Sequence, residues 1–395
     1  MEFKASHRLQ SVGEKYLAIQ QTNINQLKES GIEVLNLGRG NPDLPTFVPI
    51  VKKAKTALDN KINHGYPPYG GKSALKETIK QFYQHEYQVT LKEDEITVFS
   101  GSAAALTALP MALADPSGIV LTPTPAFFGY HIGITMSGAE EWQMPLLKRN
   151  DYLPELEKIP QAVRERAQLM FLNYPHNPTG AGATHAFFDK AVQFGLDNHI
   201  AIAHDFAYAD ISFDHQAPSF LQSKRAKQTG IEIYTLSKTF NMAGWRSAFA
   251  VGNASIIKLL KTYIQNSVGG TFGVVQDASQ YALDTQIEER KQLRDTYLKR
   301  RNTVIQLLKT NQLSVSQSSG TFFVWLKLPE RITDDRRFAK SLLNHAHVAV
   351  VPGSAFGDAG QGYLRISLVA DIATLTSGIN QLVKYLKQYK EEECH

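Results

Sequence analysis

The sequence predicts an α/β fold: a mostly parallel seven-stranded sheet flanked by helices, with a smaller α+β domain formed by the two ends of the chain. Three observations carry that prediction. Seven short apolar or β-branched runs lie at Glu95–Phe99, Gly118–Leu121, Glu141–Met144, Leu169–Leu172, Ile200–Ala203, Ile231–Leu236 and Ala248–Val251. They are continuous rather than alternating, as strands buried on both faces must be. Stretches with helical spacing separate most of them, and strands alternating with helices build parallel sheets.

Taken in order, the chain opens with a polar segment and a candidate strand at Glu33–Leu37. The middle holds the seven runs. A typical spacer is Thr184–His199, where Phe187, Phe188, Val192 and Phe194 are placed to form one buried stripe. From about Thr285 the pattern changes to a long charged helix, Gln286 to about Lys309. Short strands follow near Thr321–Trp325 and Tyr363–Leu368, with helices near Asp335–Ala346 and Ile372–Tyr389. The expected division is therefore residues 46–284 as the large domain, and 1–45 plus 285–395 as the small one. There is no internal repeat and no low-complexity segment.

Bulk composition narrows the function classes. The 395 residues carry 42 basic and 37 acidic side chains, a net charge of +5. Basic residues sit singly or in pairs such as Lys224-Arg225 and Arg300-Arg301, without the stripe or tail of a nucleic-acid binder. The single cysteine, Cys394, stands one residue from the C-terminus, so an intrachain disulfide is impossible and a positioned thiol nucleophile is not expected. The opening MEFKASHRLQ has no apolar core of a signal peptide, and no stretch nears the ~20 apolar residues of a membrane span. A cytoplasmic protein is expected. The 12 histidines are scattered, and no group has convincing metal-ligand spacing.

The chemistry gathers at strand ends, where open parallel sheets bind ligands. Ser100-Gly101-Ser102 opens onto a helix-like stretch, so free N–H groups and hydroxyls there could cradle a phosphate; a plain serine N-cap fits the same residues. Lys238 ends the buried run IEIYTLS, a setting that lowers an amine pKa and makes a Schiff-base nucleophile, or else sends the side chain snorkelling outward. Arg246, past a Gly244-Trp245 turn, could return to the same phosphate. Asp205 could pair with a protonated ring nitrogen, or cap a helix. Phe127 could lie on a cofactor ring, or be core. Asn177-Pro178 is a turn signal in any protein. Their joint occurrence at successive strand ends is what points to a site.

Two other patterns fail. Gly71-Lys72-Ser73 resembles the end of a P-loop, but Tyr66 stands where its first glycine should be. Gly38-Arg39-Gly40 begins like a dinucleotide fingerprint, but Asp43 occupies the third glycine position. No G-x-S-x-G elbow is present.

The ordered set of motifs resembles the fold type I pyridoxal-phosphate aminotransferases of class I/II, over nearly the whole chain. The most specific segment is Ser237-Lys238-Thr239-Phe240-Asn241-Met242-Ala243-Gly244-Trp245-Arg246. Others are Gly40-Asn41-Pro42-Asp43, Tyr66 with Gly71 and Leu75, Ser100-Gly101-Ser102, and Asn177-Pro178-Thr179-Gly180. Asp205 with Tyr208, and Pro352-Gly353-Ser354-Ala355-Phe356-Gly357 before Arg365, complete the series. The resemblance implies that Lys238 binds pyridoxal 5′-phosphate and shuttles the substrate proton. Asp205 would hold the ring nitrogen, with Asn177 and Tyr208 on the phenolic oxygen. Ser100, Gly101, Ser102, Thr235 and Arg246 would hold the phosphate, with Phe127 stacked on the ring and Tyr66 reaching in from a second subunit of a homodimer. Arg365 would grip the substrate carboxylate, assisted by Asn177 and the backbone of Gly40. Phe127, Ala103, Ala104 and Thr235 depart from the residues usual in the family.

The implied activity is a ping-pong exchange of amino and keto groups between small acids. The resemblance is greatest to the methionine-salvage, diaminopimelate- and aspartate-type transaminases. Alternatives on the same fold are a C–S β-lyase and a non-enzymatic regulator. The regulator would be expected to carry an N-terminal DNA-binding domain, for which about 32 residues before the first strand are too few.

Overall fold

The structure, a computed structural model, describes residues 1, 3–12 and 16–390; Cys394 lies outside the described residues. Its strands are β1 (Leu35–Asn36), β2 (Ile96–Phe99), β3 (Ile119–Thr124), β4 (Glu140–Pro145), β5 (Ala167–Asn173), β6 (Ala201–Asp205), β7 (Gly230–Thr235), β8 (Ala248–Gly252), β9 (Phe323–Lys327), β10 (Val348–Ala349), β11 (Val351–Pro352) and β12 (Tyr363–Ser367). Seven form one sheet in the order β2-β8-β7-β6-β5-β3-β4. Strands β4, β3, β5, β6 and β7 pair in parallel, and β8 runs antiparallel to both its neighbours. The mostly parallel seven-stranded sheet is as expected.

Burial on both faces explains why these strands read as continuous apolar runs. Along β5, Phe171 packs into a core with Phe99, Leu109, Ile233 and Leu260. Its neighbours Met170 and Leu172 enter the opposite core with Tyr83, Ile202, Phe206 and Phe249. Helices cover each face. The helix His185–Asn198 starts where the Thr184 hydroxyl accepts from the Phe187 N–H at 3.1 Å, a side-chain cap. Phe187, Phe188 and Val192 are buried as expected, while Phe194 is only half-buried.

The end segments build a second layer. Strands β11, β12 and β9 form an antiparallel sheet, and early β1 pairs in parallel with late β10, joining the two ends of the chain. Leu37, Tyr297, Phe322, Leu342, Ile366 and Leu382 share its core. Helices Ile287–Thr310, Asp335–Ala346 and Ile372–Gln388 lie close to the expected ranges. The strand expected at Thr321–Trp325 begins two residues later, because Thr321 has φ +68° and leaves the extended conformation. The one expected at Ile231–Leu236 stops at Thr235, whose hydroxyl accepts from the Ser237 N–H and starts a short helix, Leu236–Thr239. Among the described residues, no helix is long and apolar enough to cross a membrane, and no three His, Cys, Asp or Glu side chains form a metal-binding group.

Candidate active site

Sheet register brings the site together. Asn173 of β5 lies level with Asp205 of β6, and Asp205 with Ile233 of β7, so all three strands end at one rim. Above that rim opens a cavity of about 530 Å³, lined among others by Gly40, Ser102, Phe127, Asn177, Asp205, Tyr208, Thr235, Lys238, Arg246 and Arg365. Ten of the positions singled out from the sequence therefore meet in one space.

Lys238 does not snorkel away. Its Nζ donates to the Gly40 carbonyl at 2.9 Å and lies 5.5 Å from the centre of the Phe322 ring. Burial, followed by the nearby Arg365 and Arg246 charges, lowers its ammonium to about 8, against the opposing pull of Asp205. An amine so placed is partly neutral near physiological pH.

Asp205 is buried, and its Oδ2 accepts from the Tyr130 hydroxyl at 3.0 Å. Oδ1 is also buried and has no hydrogen-bond partner. Desolvation dominates its titration and pushes the carboxyl up to about 6, although the Tyr130 bond and the His204 charge pull it down. An orphaned carboxylate oxygen in a cavity is a position for a cationic N–H.

At the neighbouring strand end, Gly101 has φ +89° and precedes the helix Ser102–Leu113. A side chain at residue 101 would put its Cβ 2.2 Å from Arg246 Nη2, so only glycine lets the guanidinium reach the helix N-terminus. Arg246 is held by donation from Nη1 to the Ala243 carbonyl at 2.8 Å. Helix N–H groups, the Ser102 and Thr235 hydroxyls and a guanidinium make an anion cradle suited to a phosphate. Ser100 is exposed and its hydroxyl lies 3.4 Å from that of Thr271, outside the cavity lining.

Arg365, on β12, closes the opposite wall. Its Nη1 donates to Asn177 Oδ1 at 3.0 Å and its Nη2 to the Gly38 carbonyl at 3.2 Å. The guanidinium stacks 3.9 Å from the Phe323 ring centre and 4.7 Å from that of Phe356. Nε is buried without a partner, and burial lowers the guanidinium to about 10. Burial likewise raises the Tyr208 phenol, keeping it a hydrogen-bond donor.

The Gly40 carbonyl accepts from Lys238, and the Gly38 carbonyl accepts from Arg365. Tyr66 is fully exposed and does not line this chain's cavity. Sequence reasoning also missed Tyr130, Leu17, Phe128 and Phe323. Tyr130 sits inside a helix, Gly129–Ser137, and only the fold aims its hydroxyl at Asp205.

Comparison with known proteins settles what such a rim belongs to. Residues 32–382 match the family described as aminotransferase class I and II. The chain is a class I and II aminotransferase. It is 41% identical over 386 residues to transaminase BacF of Bacillus subtilis, covering 97% of each chain. A solved structure of substrate-bound BacF superposes with a TM-score of 0.94, covering 98% of each chain at 40% identity. A second B. subtilis relative, L-glutamine–4-(methylsulfanyl)-2-oxobutanoate aminotransferase, is 41% identical and covers 93% of each chain. The LL-diaminopimelate aminotransferase of Aquifex aeolicus is 38% identical over 98% of this chain and all of its own.

The aminotransferase is pyridoxal-phosphate-dependent, and the geometry agrees. A lysine with a lowered pKa, an orphaned carboxylate oxygen and a glycine-lined anion cradle suit an aldehyde, a protonated pyridine and a phosphate respectively. Its substrates are amino acids and 2-oxo acids.

Proposed function

We propose that the aminotransferase works by a ping-pong mechanism on an amino acid of the methionine type and its 2-oxo acid, 4-methylthio-2-oxobutanoate. The observation that carries this is the cavity wall. Leu17, Phe127, Phe128 and Phe323 give it an apolar surface. The cations lining it, Lys238, Arg246 and Arg365, are each committed to cofactor or α-carboxylate. A thioether side chain suits such a wall, whereas a distal carboxylate or ammonium would lose its hydration without a partner. The relative named for 4-(methylsulfanyl)-2-oxobutanoate supports the same reading.

Roles follow from chemistry and position. Arg365, braced by Asn177, holds the substrate α-carboxylate in a forked pair. Pyridoxal phosphate, when bound, supplies an electron-withdrawing ring that acidifies the Cα–H of an attached amino acid. Lys238 would carry the cofactor at rest, and its freed Nζ would take the Cα proton as general base and pass it to the cofactor carbon that had held the lysine. Asp205 keeps the ring nitrogen protonated through its open Oδ1. Gly101, Ser102, Thr235 and Arg246 bind the phosphate, with Ser100 on the same turn. Phe127 stacks on the ring, and Asn177 and Tyr208 bond its phenolic oxygen. The Gly40 carbonyl steadies the Lys238 amine.

The reading includes a homodimer, located in the cytoplasm. Tyr66 is exposed beside other exposed apolar side chains, Ile62, Tyr69, Val268 and Phe272, and a patch of that kind suits a partner surface. Covering it with a second copy would bring Tyr66 to that copy's phosphate. The proposed domain division, 46–284 against 1–45 plus 285–395, is supported by the separation of the seven-stranded sheet from the two- and three-stranded sheets, and by their distinct cores.

The deciding experiment is a panel of amino donors, methionine, phenylalanine, aspartate and LL-diaminopimelate, against 2-oxoglutarate, pyruvate and 4-methylthio-2-oxobutanoate. The highest kcat/KM is expected with methionine or its oxo acid. A preference for aspartate or diaminopimelate would refute the substrate assignment but leave the reaction class. Sedimentation should give a dimer, dispersed by Tyr66→Glu with Phe272→Glu.

A further inference from the structure

The mechanism uses Lys238, but nothing in it explains how a lysine on a four-residue helix is held in place. A half-buried carboxylate outside the cavity supplies the answer. Asp210 follows β6 five residues after Asp205. Its Oδ2 accepts from Thr239 Oγ1 at 3.2 Å and also from the Tyr234 hydroxyl, which itself lies 3.3 Å from Thr239 Oγ1. Tyr234 stands four residues before Lys238 and Thr239 one residue after it. One carboxylate therefore pins both ends of the turn that presents the amine.

Asp210 is pinned in turn. Arg290, near the start of the long helix Ile287–Thr310, donates from Nη1 to Asp210 Oδ1 at 2.7 Å and from Nη2 to Glu86 Oε1 at 2.7 Å. Its side chain is only 7% exposed and lies 5.3 Å from the Phe82 ring centre. Glu86 belongs to the helix Ser73–Tyr87, packed under the sheet. A rigid planar fork joins two carboxylates on separate elements, which an ammonium of one point charge does not reproduce. The chain Glu86–Arg290–Asp210–Thr239 thus fixes the strand carrying Asp205 and the turn carrying Lys238 relative to each other.

We propose that Arg290 and Asp210 are positioning residues for the cofactor lysine, setting the distance and angle between Lys238 and Asp205 without touching cofactor or substrate. This rests on the reading of Lys238 as the cofactor lysine. Displacement of a reacting amine by a fraction of an ångström costs rate at the chemical step and not substrate affinity. It also changes the proximity of the Lys238 amine to Arg365, Arg246 and Asp205, the charged groups that face it.

The test uses Thr239→Val, Arg290→Lys and Arg290→Met in the cofactor-loaded protein, with three measurements on each. These are the pH titration of the visible absorption of the lysine-bound cofactor, kcat against KM for the amino donor, and the thermal midpoint. Thr239→Val keeps side-chain volume and removes one hydroxyl, so it remains informative if Arg290→Met does not fold. The absorption midpoint should move by about half a pH unit or more in each variant. Turnover should drop roughly tenfold, as for other supports of functional groups, with KM within about twofold of the parent. Arg290→Lys should fall between the parent and Arg290→Met. An unchanged absorption midpoint and kcat, with only a lowered thermal midpoint, would reduce the brace to a structural one and overturn the proposal. Lys238→Ala separates the two levels. If it retains the parent's titrating absorption, the lysine assignment itself fails; if it loses that absorption while the brace variants match the parent, only the brace fails.

Discussion

His204 and Asp205 are consecutive residues of one strand, pointing to opposite faces of the sheet, and they live under opposite rules. On the His204 side, Glu232 is fully buried, and its two oxygens accept from the Tyr83 hydroxyl, the Ser219 hydroxyl, the Phe220 N–H and His204 Nδ1, each at 2.8 Å. Every strong site on that carboxylate is filled by protein. On the other side, Asp205 accepts from the Tyr130 hydroxyl on Oδ2, while its buried Oδ1 has no hydrogen-bond partner. The first network is complete and specifies packing. The second leaves a buried oxygen open, and that deficit is where we propose the cofactor's ring nitrogen binds.

The largest break in the functional side is Lys238→Ala. Removing the proposed general base should lower turnover by up to about 10⁴-fold. Cofactor should still bind at the Gly101–Ser102 turn and Arg246, which equilibrium dialysis would detect. Near-parental transamination by this variant would overturn the assignment of the lysine.

The largest break on the structural side is Glu232→Leu. It strands the His204 imidazole and three further donors in the core, at a cost of about 3–5 kcal/mol. Urea denaturation of the cofactor-free protein should show it. The contrast predicts a stability loss for Glu232→Leu and an activity loss for Lys238→Ala, with little exchange between the two.

Asp205→Asn sharpens the comparison, because it should stabilise the cofactor-free protein while abolishing useful turnover. The sign follows from burial. A carboxyl raised from 3.8 to about 6 is favoured in its protonated form by the fold. Its contribution is present at low pH and is lost as pH rises from about 3.8 through about 6. Above that window the ionised group costs up to about 3 kcal/mol, at about 1.4 kcal/mol per pKa unit. Asparagine escapes the cost, so its advantage should be full near neutrality and vanish below about pH 4. Equal stability of the two proteins near pH 7.5 would show that Oδ1 is solvated after all.

The sequence makes one side of this contrast far more legible than the other. Lys238, Asp205, Asn177 and Arg246 follow strand ends and fall in local motifs, so local pattern and parallel-sheet logic place them at one rim. Tyr130, Glu232 and Asp210 carry no such mark. Glu232 is the second residue of IEIYTLS, where a period-based reading sees only an interruption of an apolar strand, and its partners Tyr83 and Ser219 lie on separate elements. Arg290 likewise reads as one charge on a charged helix until folding puts Asp210 and Glu86 beside it. Function at this rim is written in short segments, whereas its support depends on long-range register that no local pattern encodes.

The smallest predicted effect probes the incomplete site directly. The rate at which cofactor-free protein captures pyridoxal phosphate depends on the neutral form of Lys238, since only that form is a nucleophile. Its ammonium is depressed from 10.5 to about 8, chiefly by burial. The neutral fraction is then roughly a tenth at pH 7 and a half at pH 8, an increase of about fivefold. An unperturbed lysine would give an almost tenfold rise per unit through this range and continue to climb past pH 9. Rapid-mixing absorbance should therefore show the capture rate levelling above about pH 9. The Arg246→Gln variant should move that levelling to only slightly higher pH, because its charge lowers the ammonium but is a lesser cause than burial. A capture rate still rising tenfold per pH unit beyond pH 9 would mean that Lys238 reaches water, and the empty position beside Asp205 would then have no poised amine to complete it.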